Sequence, residues 1–192
     1  MTLNEALAIL TPHLRDAVRV CSNGFMSRAA YGARDTESSF YMIGSMGLAS
    51  SIGLGIAMTR PERRVVVLDG DGNVLMNMGT LATIAVAAPG NLLHVCFDNS
   101  AHASTGGQPT ISDRVPLEGM ARAAGYRWAG RVETAAELDE LAPVFVAKQG
   151  PAFLLVRTVL GAAGPPGPRI PFTPAEMTSR VRRALGVEHD TR

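Results

Sequence analysis

Residues 65–73 read VVVLDGDGN, a run of apolar β-formers that stops at Asp69-Gly70-Asp71-Gly72-Asn73. A tight turn needs only the glycines. A carboxylate between them, followed by an amide, suits a place where phosphate and a metal meet. Asn99 ends a second such run, LLHVCFDN, one helix further along. Neighbouring strand ends come together in a right-handed βαβ unit, so Asp71 and Asn99 are expected to share a ligand. One charged and one neutral hard oxygen donor fit Mg²⁺ or Ca²⁺ better than zinc. Gly72 and Asn73 open the following helix, whose free N–H groups and dipole favour an anion. Metal plus helix terminus predicts a bound diphosphate. GDG after a strand also occurs as a plain turn, and the paired Asn99 gives the pattern its weight.

These side chains need a scaffold, and the hydrophobic pattern supplies one. Thr2-Leu3-Asn4-Glu5 has the form of a capping box and opens a helix to about Leu10. Ala17–Cys21 reads as a strand running into the loop Ser22-Asn23-Gly24, and Ser45–Met58 as a small-residue helix that lets another backbone approach closely. VVVLDG is the next strand, 74–87 a helix closed by Ala88-Pro89-Gly90, and LLHVCFDN the following strand. A polar, glycine-rich loop fills 100–110. Beyond it the pattern gives a helix at 116–124, a strand at 126–132, a helix at 135–148 and a buried strand at 153–160. A Pro/Gly-rich arm at about 161–174 precedes a last helix from Pro174 to about Leu185. Apolar strands alternating with helices predict a three-layer α/β/α fold with a mostly parallel sheet. Ligands of such sheets bind beyond the carboxyl ends of the strands, where DGDGN and DNSAH fall.

Composition narrows the function classes. The chain has 192 residues, 46% hydrophobic and 18% charged, with a formal net charge of +1. It reads as one domain over 1–192. No basic field points to nucleic acid, and no segment reaches the roughly 18 uninterrupted apolar residues of a membrane span. The N-terminus carries Asn4 and Glu5 where a signal peptide carries positive charge, so a cytoplasmic protein is expected. Cys21 and Cys96 sit in apolar strands and are expected to be buried free thiols.

GDGN followed by FDN resembles the thiamine-diphosphate motif, GDG with a downstream NN pair. The stretch from YMIGSMGLASSIGLGIAM through LLHVCFDNSAHASTGGQPT resembles the diphosphate-binding part of phosphonopyruvate and sulfopyruvate decarboxylases. The resemblance implies a thiamine-diphosphate-binding fold with Mg²⁺ ligated by Asp71, Asn99 and the Ala101 carbonyl. It places Gly70, Gly72 and Asn73 at the diphosphate and His102 beside the cofactor. It gives the Gly44 carbonyl, Ser45 and the Met46 N–H to the pyrimidine end, and makes the Met46 side chain the wedge that bends the cofactor. Met42, Met76 and Met78 read as core methionines. Asp98 departs from the motif, which has Asn there, and its added charge needs a partner.

The chemistry implied is decarboxylation of a 2-oxo acid to an aldehyde and CO₂, with thiazolium C2 as nucleophile and electron sink. The glutamate that activates the pyrimidine belongs to a second domain in this superfamily, and 192 residues leave no room for it. The expectation is a split enzyme, α₂β₂ or larger, in which a separate pyrimidine-binding (alpha) subunit supplies that glutamate. His102 is read as a proton donor or a holder of the substrate's acid group, or as a plain loop histidine. Ser104, Thr105 and Gln108 are candidate donors to a phosphonate or sulfonate, and Arg28 and Arg169 candidate anchors. Arg180, Arg182 and Arg183 are read as a charged helix face, and His13, His94 and His189 as structural. Two other readings stay open: a thiamine-binding subunit of a carboligase or 2-oxo acid oxidoreductase, and a cofactor-binding module without turnover. Two isolated cysteines do not make an iron–sulfur site for the oxidoreductase.

Overall fold

Thr2 caps the first helix reciprocally. Its side-chain oxygen accepts from the Glu5 N–H at 3.3 Å, while Glu5 Oε2 accepts from the Thr2 N–H at 2.8 Å. In the computed structural model, which describes residues 1–160 and 167–187, this helix is α1 (Leu3–Leu10). There follow β1 (Val18–Cys21), α2 (Phe25–Ala33), β2 (Ser39–Tyr41), α3 (Ala49–Thr59) and β3 (Val65–Gly70). Next come α4 (Asp71–Met76), α5 (Gly79–Ala87), β4 (Leu92–Asp98), β5 (Ala101–His102) and β6 (Gln108–Pro109). The chain continues through α6 (Leu117–Ala124), β7 (Trp128–Val132), α7 (Ala135–Val146), β8 (Ala152–Arg157) and α8 (Pro174–Ala184).

Six strands form one sheet in the order β2-β1-β3-β4-β8-β7, every neighbouring pair parallel. The expected mostly parallel sheet is therefore parallel throughout. Alternation along the strands divides the interior into two cores. Val66, Leu68, Leu93, Val95 and Phe97 face one side, against Leu7 and Leu10 of α1, Met26 of α2 and Leu138 and Phe145 of α7. Val65, Val67, Leu92 and Cys96 face the other, against Leu54 of α3, Leu81 and Ile84 of α5 and Leu117 of α6. Two cores on one sheet make three layers. Gly53 lets α3 lie close on β3, because a Cβ there would run into Val67 Cγ2.

Strand β1 is flanked by β2 on one side and by β3, reached from β2 through α3, on the other. The strand order reverses at that point, which opens a crevice beyond the ends of β1 and β3. Gly70 on β3 pairs in register with Phe97 on β4, so the turns bearing Asp71 and Asn99 start side by side.

Several local expectations change. Helix α2 and strand β2 occupy a stretch with no predicted element. Helix α3 starts at Ala49 rather than Ser45, because 44–48 is a turn with Ser45 at φ 56° and Gly47 at φ 90°. The single helix expected over 74–87 begins at Asp71 and breaks after Met76 into α4 and α5. Met76 is 61% exposed and no core residue, whereas Met42 is buried. The 100–110 loop contains the small antiparallel hairpin β5–β6. The first part of the Pro/Gly arm, 161–166, and His189 lie outside the described residues. Cys21 and Cys96 are buried free thiols, and burial pushes Cys21 up to about 12. Among the described residues no helix is long and apolar enough to cross a membrane.

Candidate functional site

A cleft of about 140 Å³ lies at the crevice, walled by the ends of β1, β3 and β4, the turn before α3 and the β5–β6 hairpin. Asp71, Gly70, Gly72, Asn73, Asn99, Ala101, His102 and Met46 all line it. The sheet thus gathers residues from three distant stretches. Gly44 and Ser45 do not line this cleft. They border an adjacent apolar cavity of about 270 Å³ with Tyr41, Leu48 and Met177.

Asp71 is 2% exposed. The Thr110 hydroxyl donates to its Oδ2, and the Ser112 hydroxyl lies 3.3 Å from the same oxygen. Burial pushes the Asp71 carboxyl above its ordinary range; the Thr110 hydrogen bond opposes this and the Asp98 charge reinforces it. A divalent cation at this carboxylate would favour the ionised form. Asn99 Oδ1 accepts from the Ala101 N–H at 3.0 Å. Ser100, between them, holds a left-handed φ of 55°, a conformation that the surrounding hydrogen bonds impose.

Asp98 finds the partner its charge requires. Arg157, opposite it on β8, lies 2.8 Å from Asp98 Oδ2. The Ser112 hydroxyl, at 2.7 Å, and the Ser100 N–H, at 2.9 Å, donate to Oδ1. The additional acid is thus paired with a cation and two hydrogen-bond donors.

Gly72 is the narrowest point. A Cβ there would stand 2.8 Å from His102 Cε1 and Nδ1 and 3.1 Å from Met46 Cε. The Met46 turn is clamped to α4 at Gly47, whose N–H donates to Asn73 Oδ1 at 2.9 Å and whose carbonyl accepts from Asn77 Nδ2 at 3.2 Å. Asn73 therefore braces the Met46 turn, a role its sequence position did not suggest.

Spacing also gave no sign of Ser22 and Asn23, at the end of β1. Both line the cleft, and Ser22 Oγ and Asn23 Oδ1 are buried without a hydrogen-bond partner. Such atoms want a ligand or water. Hard oxygens at adjacent strand ends, a bare Gly72 and unpaired polar atoms opposite fit a metal–diphosphate group.

The other candidates separate. Ser104 and Thr105 line the cleft, whereas Gln108 is exposed and donates to the Thr105 carbonyl at 3.0 Å. Arg28 does not anchor a ligand here: its guanidinium binds the Gly167 carbonyl at 2.6 and 2.9 Å. Arg169 is exposed and outside the cleft. His94 is structural, buried in β4 with Nε2 3.3 Å from Asp69 Oδ2.

Comparison with known proteins follows this geometry. Residues 21–156 match the family described as thiamine pyrophosphate enzyme, C-terminal TPP binding domain. The chain is 43% identical over 168 residues to a phosphonopyruvate decarboxylase of Streptomyces viridochromogenes. The match covers 88% of this chain and 42% of that protein. It is 51% identical over 122 residues to the sulfopyruvate decarboxylase subunit beta of Methanothermobacter thermautotrophicus, covering 64% and 65%. Against the subunit beta of Methanococcus maripaludis identity is 35%, covering 96% of this chain and 98% of that one. The chain thus spans less than two thirds of the first two relatives. The fold resembles the thiamine diphosphate-dependent 4-hydroxybenzoylformate decarboxylase of Rhodococcus jostii RHA1, with a TM-score of 0.72 and 18% identity. That likeness covers 85% of this chain and 33% of the other.

Proposed function

The chain belongs to the thiamine pyrophosphate enzyme family through its C-terminal TPP binding domain, and from that membership we propose that it is the diphosphate-binding subunit of a split decarboxylase. Its substrate is an acidic 2-oxo acid of the sulfopyruvate or phosphonopyruvate type, the products an aldehyde and CO₂. The observation that carries this reading is the convergence of Asp71, Asn99, Gly72, Met46 and His102 on one cleft.

Asp71, Asn99 and the Ala101 carbonyl hold Mg²⁺, and the helix-opening residues Gly72 and Asn73 receive the diphosphate. When bound, thiamine diphosphate supplies the nucleophilic C2 and the sink for the electron pair left as CO₂ departs. Met46, fixed through Gly47 by Asn73 and Asn77, forms the wedge that sets the cofactor's bend. His102, seated on Gly72, holds a proton or the substrate's acid group at the mouth of the cleft.

Among the described residues no glutamate lines the cleft, which supports placing the activating carboxylate on a separate pyrimidine-binding subunit. The Gly44 carbonyl and Ser45, on the neighbouring apolar cavity, then belong to the pyrimidine side of that junction. The assembly is two chains of each kind or larger, and a cytoplasmic location accords with this role. The test is CO₂ release from sulfopyruvate, phosphonopyruvate and pyruvate by the chain alone and with a co-expressed partner. Turnover of an acidic substrate only in the pair is the expected result. Equal turnover by the chain alone contradicts the split, and no turnover by any pair contradicts the activity.

A further inference from the structure

The metal ligand Asp71 does not stand alone in its wall. Thr110 and Ser112, both at least nine-tenths buried, reach it from the far end of the β5–β6 hairpin. Each hydroxyl has one proton to give, and the distances say where it goes. Thr110 donates to Asp71 Oδ2. Ser112, 3.3 Å from that oxygen but 2.7 Å from Asp98 Oδ1, gives its proton to Asp98. Ser112 Oγ then accepts from the Ser100 hydroxyl at 3.1 Å, and Ser100 Oγ accepts from Arg157 at 2.8 Å. Arg157 also forms an ion pair with Asp98 Oδ2, 2.8 Å away. Every proton in this chain has one direction, set by the guanidinium at its head.

We propose that Thr110 is a positioning residue that orients Asp71 toward the cation and latches the His102 hairpin to the metal site. This inference rests on the cofactor reading above. Thr110 secures one carboxylate oxygen, Oδ2, so the carboxylate cannot rotate freely. Thr110 also ties the hairpin at its base, donating its N–H to the Ser100 carbonyl at 2.9 Å directly after β6. A change at Asp71 is thereby transmitted to the strand pair Ala101–Pro109 and His102–Gln108. Oxygen ligands braced in this way commonly lose about 10–100-fold in metal affinity when the brace is removed.

The experiment uses the full chain in complex with its partner subunit and Mn²⁺ with thiamine diphosphate as probe, free Mn²⁺ being read by electron paramagnetic resonance. Thr110→Val keeps the shape and deletes the proton; Thr110→Ser keeps the proton. The inference expects T110V to weaken Mn²⁺ binding about tenfold, and T110S to stay within about threefold of the parent protein. It also expects the parent's 101–109 amides to exchange more slowly with Mn²⁺ bound, a protection that T110V loses. Unaltered Mn²⁺ affinity in T110V, or a T110S as weak as T110V, overturns it. A parent complex that binds no Mn²⁺ with thiamine diphosphate overturns the cofactor reading and this inference together, whereas tight parental binding with an indifferent T110V removes this inference alone.

Discussion

Arg157 and Asp98 face each other across β8 and β4, and their unequal burial predicts unequal variants. Asp98 is 1% exposed and Arg157 31%. Arg157→Met leaves a buried carboxylate without its cation and is expected to cost about 2 kcal/mol, discounted from the fully buried case because the guanidinium is partly solvated. Asp98→Asn restores the motif's amide and leaves a guanidinium that reaches water, at a cost of about 1 kcal/mol. Urea unfolding of the two checks the order, and a larger loss in D98N contradicts it. At Gly72 a methyl group would press on the His102 ring and Met46 Cε. Gly72→Ala is expected to raise the Kd for thiamine diphosphate at least tenfold, about 1.4 kcal/mol, with the fold retained. Calorimetric titration showing an unchanged Kd would remove Gly72 from the site. Asp71 and Asn99 were put forward from the sequence because their types and strand-end positions suit a cation, and Met46 from the family resemblance; all three line the cleft. Thr110, Ser112, Ser22 and Asn23 were not legible there, because their roles arise only when distant segments meet.

The elements were legible where period and caps agreed. Helices α1, α7 and α8 each open with a reciprocal Thr–Glu box at Thr2, Thr134 and Thr173. Hydrogen bonds to backbone N–H groups hold Glu5, Glu137 and Glu176 below their ordinary value of 4.5. A depressed folded value means stability fully present above that ordinary value and lost as pH falls from there through the lower folded value. The urea midpoint is therefore expected to decline on acidification below about pH 4.5, and less steeply when Glu5, Glu137 and Glu176 are replaced by glutamine. Parallel acid limbs would show that the boxes play no part. Helix α2 was not legible: its N-cap is Gly24, at φ 78°, with no side-chain cap. Edge strand β2 spans three residues, too few for a period to register. The break between α4 and α5 escaped for another reason: Asn77 ends the helix by turning its amide to Gly47, a contact from outside the segment. On the opposite layer, Phe145 of α7 is fully buried. Phe145→Ala should lower stability by about 3–5 kcal/mol while leaving cofactor affinity intact. An affinity change would show that the two layers are coupled.

At the scale of the whole molecule, one parallel sheet explains why residues as far apart as Ser22 and Thr105 share a cleft. The reversal of strand order at β1 and β3 creates the crevice, and the β3–β4 register brings the turns bearing Asp71 and Asn99 together. In the proposed assembly this half of the site holds and bends the cofactor, and activation comes from a second subunit. The central claim is that a divalent cation at Asp71 and Asn99 tethers the diphosphate. Titrating thiamine diphosphate into the assembled protein with Mg²⁺, with excess EDTA, and with Asp71→Ala tests it most directly. The account predicts saturable binding with Mg²⁺ that is lost both in EDTA and in the variant. Binding of equal strength without the metal, or in D71A, contradicts it.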